Sequence, residues 1–272
     1  VNRKPMSNDV ALVIGAASSI GRSSLGTLRG AGYQVIAADL SAAALAGLAD
    51  ADETHVLDIT DRSAVLKLAD TFKERSLRLR ALVVSAGVHS SHPVADLPDT
   101  VIDGVMNVNF NAHVKLVRDF LPLMKEQGRI IGVSSIGATV GLPMSSIYSA
   151  SKGALELFYE ALSTELAHRR IYPVIIQPGN VNTGFNETGN TFAGSDDAEL
   201  SQGYARFVAM IDSSKGMPPE AVAKTIATAA TAARPKLCYV VGMNALKAYW
   251  ARRLLGRTGA VLLLRRYFGF KG

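Results

Sequence analysis

Residues 10–21 read VALVIGAASSIG, an apolar run that ends in a loop of small residues. An unbroken apolar run is typical of a strand buried on both faces of a sheet. The segment that follows spaces its apolar residues three or four apart, which predicts a helix beginning at the end of the loop. Small residues allow the backbone to approach a pyrophosphate, which the N–H groups and positive end of a helix stabilise. An ordinary strand-to-helix turn is the alternative. The predicted phosphate contacts are Gly15, Ser18, Ser19, Ile20 and Gly21.

Further apolar runs alternate with helical segments along the rest of the chain. The runs occupy residues 35–38, 55–57, 81–84, 129–133, 173–176 and 238–241. Segments with helical spacing occupy residues 20–31, 61–76, 99–126, 147–169 and 219–232. Strands that alternate with helices form parallel βαβ units, which close into a doubly wound sheet. We therefore predict the α/β class, with residues 1–272 forming a single Rossmann domain whose seven-stranded parallel sheet is flanked by helices.

Composition places the chain among globular proteins of a reducing compartment. At 272 residues and 48% hydrophobic composition, the chain can bury a substantial core. Its single cysteine, Cys238, excludes an internal disulfide. Residues 1–8 are polar and lack the apolar stretch of a signal peptide, and no apolar run reaches the roughly 18 residues of a spanning helix. We therefore expect a cytoplasmic protein.

Asp39 ends the second apolar run, 24 positions after Gly15. In the Rossmann arrangement an acid at this place binds the ribose 2′-hydroxyl of the dinucleotide. Its carboxylate would repel a 2′-phosphate, and residues 16–18 include no base that would offset this repulsion. The sequence therefore favours NAD over NADP as the cofactor. A second role for Asp39, as a turn residue that caps the helix from Ser41, is compatible with the first.

Tyr148 and Lys152 lie four residues apart on a predicted helix, so their side chains share one face. A free tyrosine has a pKa of about 10, and bringing it to about 7 requires roughly 4 kcal/mol of preference for the phenolate. A unit charge about 4 Å away, at an effective dielectric of about 20, supplies about that much. The spacing therefore indicates a tyrosine that acts as an acid/base, although an exposed tyrosine beside an exposed lysine is the alternative. Ser135 follows a predicted strand, where its hydroxyl can hold a substrate oxygen.

With these motifs in order, the chain resembles the short-chain dehydrogenase/reductase family over nearly its whole length, in particular the hydroxysteroid and retinol dehydrogenase members. The matching positions are Gly21, Asp58-Ile59, Ala86-Gly87, Asn109, Ser135, Tyr148, Lys152, Pro178-Gly179 and Thr183. Four positions depart from the family pattern. Ile14 stands where the family often has Thr, Ser19 replaces the middle glycine of the loop, and Val84-Ser85 replaces two asparagines. The last change puts the rigidity of the fourth strand in doubt.

The resemblance implies a hydride transfer between NAD(H) and a secondary alcohol or ketone. It assigns Tyr148 as the general acid/base and Ser135 as the group that polarises the carbonyl. Lys152 would lower the pKa of the tyrosine and hold the nicotinamide ribose, and Asn109 would hold a water that links Lys152 to solvent. The different-class alternative is an NAD-binding sensor or scaffold protein without turnover. The intact set of four residues favours the enzyme, because a binding protein has no need to retain it.

Further contacts to the cofactor also follow from the resemblance. Asp58 and Ile59 lie where the family binds adenine, and Thr183 with the backbone of Val181 would fix the nicotinamide amide. The resemblance also implies a homodimer or homotetramer that pairs the helices carrying Asn109 and Tyr148.

The predicted substrate is a lipophilic alcohol or ketone. Apolar side chains dominate the segments that follow the fourth, fifth and sixth strands, although such residues are often core. The candidates for the pocket wall are Val88, Val94, Ile136, Val140, Leu142, Pro143, Met144, Phe185 and Phe192. A segment at about 179–215 is expected to act as a substrate loop or lid. His89 and His92 are expected to be solvated more often than functional, and they lack further ligands at metal spacing, so no metal site is predicted.

Charge is distributed unevenly along the chain. No acid follows Glu220, whereas residues 221–272 hold ten bases. Within this part, residues 243–272 interleave leucines and aromatics with arginines, which fits an interfacial amphipathic helix attracted to anionic lipid. Packing on the chain's own domain or on a twin subunit is the alternative. Nucleic-acid binding is not expected, since no recognition motif accompanies the charge.

Overall fold

A seven-stranded parallel sheet forms the centre of the computed structural model, which describes residues 9–183, 190–191, 197–213 and 216–270. The strand order is β3-β2-β1-β4-β6-β7-β9. These strands are β1 (Val10–Ile14), β2 (Gln34–Asp39), β3 (Glu53–Val56), β4 (Leu79–Val84), β6 (Met124–Val133), β7 (Tyr172–Pro178) and β9 (Cys238–Val241). Two short strands, β5 (Ser90–Ser91) and β8 (Asn190–Thr191), pair separately. The predicted fold class and strand count are confirmed.

Helices connect the strands and cover the sheet. They are α1 (Ser19–Gly30), α2 (Ala42–Leu45), α3 (Arg62–Glu74), α4 (Asp99–Met106), α5 (His113–Phe120), α6 (Ser146–Glu165), α7 (Ala198–Ser213), α8 (Pro219–Thr231) and α9 (Met243–Phe268). Because both faces of the sheet are covered, every residue of β1 is buried. Leu12 packs into the core on one face, and Ala11 and Val13 pack into the core on the other. In the described part of the chain, no helix combines the length and the apolar character needed to cross a bilayer.

The helix predicted over residues 99–126 is confirmed as far as Phe120, with a π-helical turn inside it, and is wrong beyond that residue. A π-helical turn, Asn107–Ala112, separates α4 from α5, and α5 ends at Phe120. A 3₁₀ turn that contains Pro122 follows, and β6 then begins at Met124, five residues earlier than predicted. The apolar spacing continues past Phe120 and concealed this boundary, whereas a proline stops a helix because it has no N–H to donate.

The loop or lid predicted over about 179–215 lies only partly within the described residues. Its described part contains α7, so the segment is not a continuous irregular loop. Residues 184–189, 192–196 and 214–215 lie outside the described residues.

The sheet order places a crevice at the carboxyl ends of β1 and β4. From β1 the chain proceeds outward to β2 and β3, and it then returns to the other side of β1 to form β4. In open α/β sheets, ligands bind where the strand order reverses in this way. The loop after β1, the segment after β4 and the ends of β6 and β7 all open at this edge.

Candidate active site

At two positions of the loop between β1 and α1, the backbone conformation or the available space allows only glycine. Gly15 has a φ of +77°, and a Cβ placed on it would lie 2.7 Å from the Cα of Ala86. A Cβ on Gly21 would lie 2.9 Å from the Cα of Ala16. The loop therefore folds tightly over the first turn of α1, with its backbone close to the start of the helix.

Serines fix this loop to its surroundings. Ser18 is the N-cap of α1, where its Oγ accepts a hydrogen bond from the Gly21 N–H at 3.1 Å and donates to the Gly15 carbonyl at 2.7 Å. Ser85 donates from its backbone to the Ile14 carbonyl at 2.9 Å and from its side chain to the Gly15 carbonyl at 3.0 Å. Although Val84-Ser85 replaces two asparagines, Ser85 itself joins the end of β4 to the loop by hydrogen bonds.

Asp39, at the end of β2, accepts two backbone hydrogen bonds. Its Oδ2 accepts from the Ala17 N–H at 2.9 Å, and its Oδ1 accepts from the Ser41 N–H at 3.1 Å. The first bond holds the carboxylate against the phosphate loop, where a bound ribose would lie. The second is the turn contact that the sequence allowed as an alternative, so the structure contains both.

The segments after β3 and β4 flank the same crevice. Asp58 Oδ1 accepts from the backbone N–H of Thr60 at 2.8 Å and from its hydroxyl at 2.7 Å, while Ile59 is buried. Ala86 packs beside Gly15, and Gly87 follows it in the chain. Ala86 therefore lies next to the loop and Gly87 lies beside Asn109 and Lys152, whereas Asp58 and Ile59 follow β3 at the same edge of the sheet.

Asn109 lies in the π-helical turn and is fully buried. Its Oδ1 accepts from the Val88 N–H at 2.8 Å, and its Nδ2 donates to the Val88 carbonyl at 2.9 Å and to the Ser151 hydroxyl at 3.0 Å. A π turn inserts an extra residue and is found mostly at functional sites. The amide thereby joins the segment after β4 to α6.

Tyr148 and Ser135 are both buried at the carboxyl end of β6. Burial raises the pKa of Tyr148, and the hydrogen bond with Ser135 lowers it by a smaller amount. The Ser135 Oγ also accepts from the Gly137 N–H at 3.1 Å, which fixes the direction of the hydroxyl. The alternative of an exposed tyrosine is excluded.

Lys152 is buried below Tyr148 on α6. Its Nζ donates to the Val133 carbonyl at 2.9 Å and lies 5.9 Å from the centroid of the Tyr148 ring. Burial lowers the pKa of Lys152 to about 8, against an opposing contribution from Glu156. The lowering of the Tyr148 pKa by Lys152 that the spacing predicted is not found: burial raises this pKa, and Ser135 is the group that lowers it.

Glu156 is a residue of the site that the sequence reasoning missed. Its Oε1 accepts from the Ser134 hydroxyl at 2.7 Å and from the Gln177 Nε2 at 2.8 Å. Ser134 follows the last residue of β6 and precedes Ser135, and Gln177 lies in β7 just before Pro178. Glu156 thus joins α6 to both strand ends, and burial raises its pKa. The available signal was its spacing, four residues after Lys152.

His89 is buried, although the sequence favoured a solvated ring. Its ring meets that of Tyr148 edge to face, with the centroids 4.8 Å apart, and its Nε2 lies 3.1 Å from the Ser145 hydroxyl. Burial lowers the pKa of His89 to about 4, so the ring is neutral at pH 7. His92 is half-buried, and its Nδ1 lies 2.9 Å from the Ser90 hydroxyl.

The segment after β7 reaches back to the phosphate loop. Pro178 is buried, and Val181 is bridged to Met217. The Thr183 carbonyl accepts from the Ser19 hydroxyl at 3.1 Å, which joins this segment to the start of α1. The structure therefore brings all the predicted cofactor and catalytic residues to one edge of the sheet.

Only some of the residues predicted to form the pocket wall are buried. Val140 and Met144 are buried, whereas Val88 and Val94 are exposed. Phe185 and Phe192 lie outside the described residues. An open groove of about 490 Å³ runs beside this region, but neither Ser135 nor Tyr148 lines it, so we do not assign it to the substrate. Its lining residues are Gly137, Ala138, Gly141, Leu142, Pro143, Ser146, Ser149, Ala150 and Gly153.

The parallel sheet and its glycine-edged first loop define a dinucleotide-binding protein fold of the Rossmann class. Within this class, the family model described as short chain dehydrogenase matches residues 9–193, and the chain belongs to this family. The family resemblance predicted from the motifs is confirmed.

Curated relatives include both steroid and retinol dehydrogenases. Over 137 residues the chain is 33% identical to 3-ketodihydrosphingosine reductase of Bacteroides thetaiotaomicron, covering 50% of this chain and 51% of the relative. It is 32% identical to 17-beta-hydroxysteroid dehydrogenase type 1 of Homo sapiens over 199 residues, covering 69% and 59%. It is 36% identical to retinol dehydrogenase 8 of Bos taurus over 169 residues, covering 57% and 54%. The matches thus span between about half and three fifths of the length of these relatives.

Two solved structures share the fold and differ in cofactor. A short chain dehydrogenase from Burkholderia cenocepacia in complex with NADP matches with a TM-score of 0.77 at 22% identity, covering 96% of this chain and 99% of that chain. One from Burkholderia phymatum in complex with NAD matches with a TM-score of 0.76 at 22% identity, covering 92% and 95%. At these identities the likeness establishes the fold alone.

Proposed function

We propose that the chain is an NAD(H)-dependent oxidoreductase that interconverts secondary alcohols and ketones. The observation that carries the proposal is the burial of Ser135, Tyr148 and Lys152 together at the strand ends, beside the phosphate loop. Burying a lysine and a tyrosine disfavours their charged forms. Ionisable groups whose pKa values are shifted by burial, next to a loop that fits a dinucleotide, are typical of a site that transfers protons.

The residues around the loop fit a dinucleotide. The missing side chains of Gly15 and Gly21 leave the loop backbone bare at the N-terminus of α1, where a pyrophosphate is stabilised. When bound, the nicotinamide supplies the hydride acceptor or donor. Lys152 and Thr183 lie on the side of the crevice that would hold the nicotinamide end, and Asp39 lies on the side of the adenosine ribose.

Tyr148 moves the proton in the proposed reaction. During alcohol oxidation its phenolate oxygen takes the hydroxyl proton of the substrate, and during ketone reduction its hydroxyl donates that proton to the carbonyl oxygen. Because burial raises the pKa of Tyr148, the free enzyme holds the phenol proton at neutral pH and is ready for reduction. Ser135 hydrogen-bonds the same substrate oxygen, and the Lys152 cation stabilises the phenolate.

NAD is the proposed cofactor, on the strength of Asp39. The two backbone bonds fix a carboxylate next to the loop, where it would repel a 2′-phosphate. Titration of purified protein with NADH and NADPH, followed by nicotinamide fluorescence, tests this choice. Asp39→Ala is expected to weaken NADH binding and to improve NADPH binding. Unchanged affinities for both would refute the assignment.

The proposed substrate is lipophilic. Val140 and Met144, which lie between Ser135 and Tyr148 in the chain, are buried, and the relatives named above act on sphingoid, steroid and retinoid molecules according to their names. A panel of secondary alcohols from short aliphatics to steroids, assayed by nicotinamide absorbance, tests this class. Activity that falls as the apolar bulk of the alcohol increases would contradict it.

The central experiment separates chemistry from binding. Tyr148→Phe is expected to abolish turnover and to leave the Kd for NADH within about twofold, because the phenyl ring keeps the packing. Tyr267→Phe, on an exposed ring, is the matched control and is expected to retain full activity. Turnover that persists in Tyr148→Phe would overturn the mechanism. Tight NADH binding with no turnover of any alcohol by the unaltered protein would favour a sensor or scaffold protein.

We also propose a homodimer or homotetramer that pairs the α6 faces. Leu157 is 67% exposed at the middle of α6, on a helix whose Ala150 and Gly153 leave room for a close neighbour. Light scattering after size exclusion measures the mass in solution. Leu157→Glu is expected to shift the mass towards the monomer, and a monomeric unaltered protein would contradict the proposal.

A further inference from the structure

The first half of α9 exposes a stripe of large apolar side chains. Met243, Leu246, Trp250 and Leu254 are spaced by three, four and four residues, so with 3.6 residues per turn they fall on one side of the helix. Their exposed fractions are 66%, 37%, 51% and 76%. A contiguous exposed apolar surface of this kind marks an interaction site, whereas single exposed apolar residues are common on any protein surface.

Contacts on the opposite side hold α9 with this stripe facing outward. Ala245 is buried and packs against Gly179, and the Arg252 Nε donates to the Thr139 carbonyl at 3.2 Å. Gly256, with φ +66° and ψ −172°, then kinks the helix. Beyond the kink Phe268 is buried against Phe207 and Met144. The alternative of packing on the chain's own domain therefore holds for the inner side of α9 and leaves the stripe uncovered.

Cations border the stripe on both sides. Lys247 and Arg253 are exposed and fall next to the stripe on the helix surface, one on each edge. Residues 221–272 contain no acid that would neutralise them. Lysine and arginine at such positions lay their apolar stems along a lipid surface and reach the headgroups with their charged ends.

We propose that this side of α9 binds the surface of a bilayer that contains anionic phospholipid. The apolar stripe enters the headgroup boundary, and Lys247 and Arg253 pair with the lipid phosphates and carboxylates. A second copy of the chain is the competing occupant, but pairing two such faces would bring like charges together, which is unfavourable. The charge pattern therefore selects the anionic surface. The same helix contacts Gly179 and Thr139, which follow β7 and β6, so the bound membrane lies beside the segments that border the crevice.

Trp250 is the only tryptophan of the chain, so its fluorescence reports directly on the stripe. The full chain is titrated with vesicles of phosphatidylcholine, with and without phosphatidylserine, at low and high salt. A blue shift that needs phosphatidylserine and is reversed by salt is the expected result. No shift with the anionic vesicles at low salt would overturn the proposal. So would an equal shift with phosphatidylcholine alone.

Two pairs of charge changes complete the test, read by vesicle sedimentation. Lys247→Glu with Arg253→Glu is expected to lower the vesicle partition coefficient at least about 25-fold, since each base contributes about fivefold, or about 1 kcal/mol, at an anionic surface. Lys67→Glu with Lys73→Glu on α3 is the matched control, because it reverses two exposed bases that are also six residues apart on a helix, and it should bind as the unaltered chain does. Equal loss in both pairs would overturn the assignment to α9. If the blue shift occurs without vesicles as the protein concentration increases, and the molecular mass in solution rises with it, the face binds a second copy of the chain instead.

Discussion

His113 should make the stability of the fold depend on pH. It is buried at the start of α5, and its Nε2 lies 2.8 Å from the Tyr159 hydroxyl. Burial lowers the pKa of His113 to about 3, and the nearby charge of Lys152 contributes to the lowering. The unfolded chain keeps a pKa of about 6.5. Below that pH the unfolded state binds a proton that the folded state excludes, so this stability is complete above about pH 6.5 and is lost as the pH falls towards 3.

The magnitude follows from the difference in proton binding. Each pH unit over which only the unfolded state titrates changes the free energy of unfolding by about 1.36 kcal/mol, so His113 accounts for a loss of about 2 kcal/mol between pH 7 and pH 5. His113→Gln keeps a polar group in reach of Tyr159 and cannot titrate. Denaturant unfolding at pH 7, 6 and 5 should show the unaltered protein losing about 2 kcal/mol more than this variant.

Other histidines provide the controls for this measurement. His89 is also buried, with a pKa of about 4, but it is present in both proteins and cancels in the comparison. His168→Gln removes an exposed histidine and controls for the substitution of an imidazole by an amide. If the unaltered protein and His113→Gln lose stability in parallel from pH 7 to pH 5, His113 is charged in the folded state and the reasoning fails.

Three further substitutions test the site and its supports. Glu156→Gln removes a negative charge that raises the pKa of Lys152, so the alkaline limb of the kcat/KM pH profile should move to lower pH; an unmoved limb would contradict this. His89→Leu loses the edge contact with Tyr148, and stopped-flow and steady-state assays should show kcat/KM reduced about fivefold with NADH binding unchanged, for a contact worth about 1 kcal/mol. Gly132→Ala would place a methyl group 2.7 Å from a buried tyrosine ring, and denaturant unfolding should show a loss of about 1–3 kcal/mol, whereas an unchanged midpoint would show that the ring can move.

Sequence alone predicted the features that depend on short-range spacing. The loop from Gly15 to Gly21 was predictable because Ser18 caps the helix through contacts only three positions away, although Asp39, Ser85 and Thr183 also hold the loop from distant parts of the chain. Tyr148 and Lys152 share a face because a single helix carries both. All seven strands were also predicted, since an apolar run between helical segments has few other structural solutions, although β3 begins two residues and β6 five residues before the predicted runs.

Long-range packing produced the features that the sequence did not reveal. Glu156 resembles a surface glutamate of a helix until β6 and β7 bring Ser134 and Gln177 to it. His89 follows a strand and looks like a loop residue, yet Ser145 and Tyr148 enclose it. In both cases the partners are between 21 and 59 positions away in the chain, and no local pattern encodes their approach.

Burying Tyr148 and Lys152 disfavours the charged form of each. Neighbouring side chains therefore have to keep α6 in place, so that the two residues stay buried. Asn109 does so from one side, since it holds the segment after β4 against α6. Glu156 does so from the other side, since it joins the same helix to the ends of β6 and β7. The helix that bears Tyr148 is therefore fixed to three neighbouring strand ends by side-chain amides and a carboxylate rather than by apolar contact alone. Hydrogen bonds fix direction as well as distance, and direction is what a proton transfer to a substrate oxygen requires.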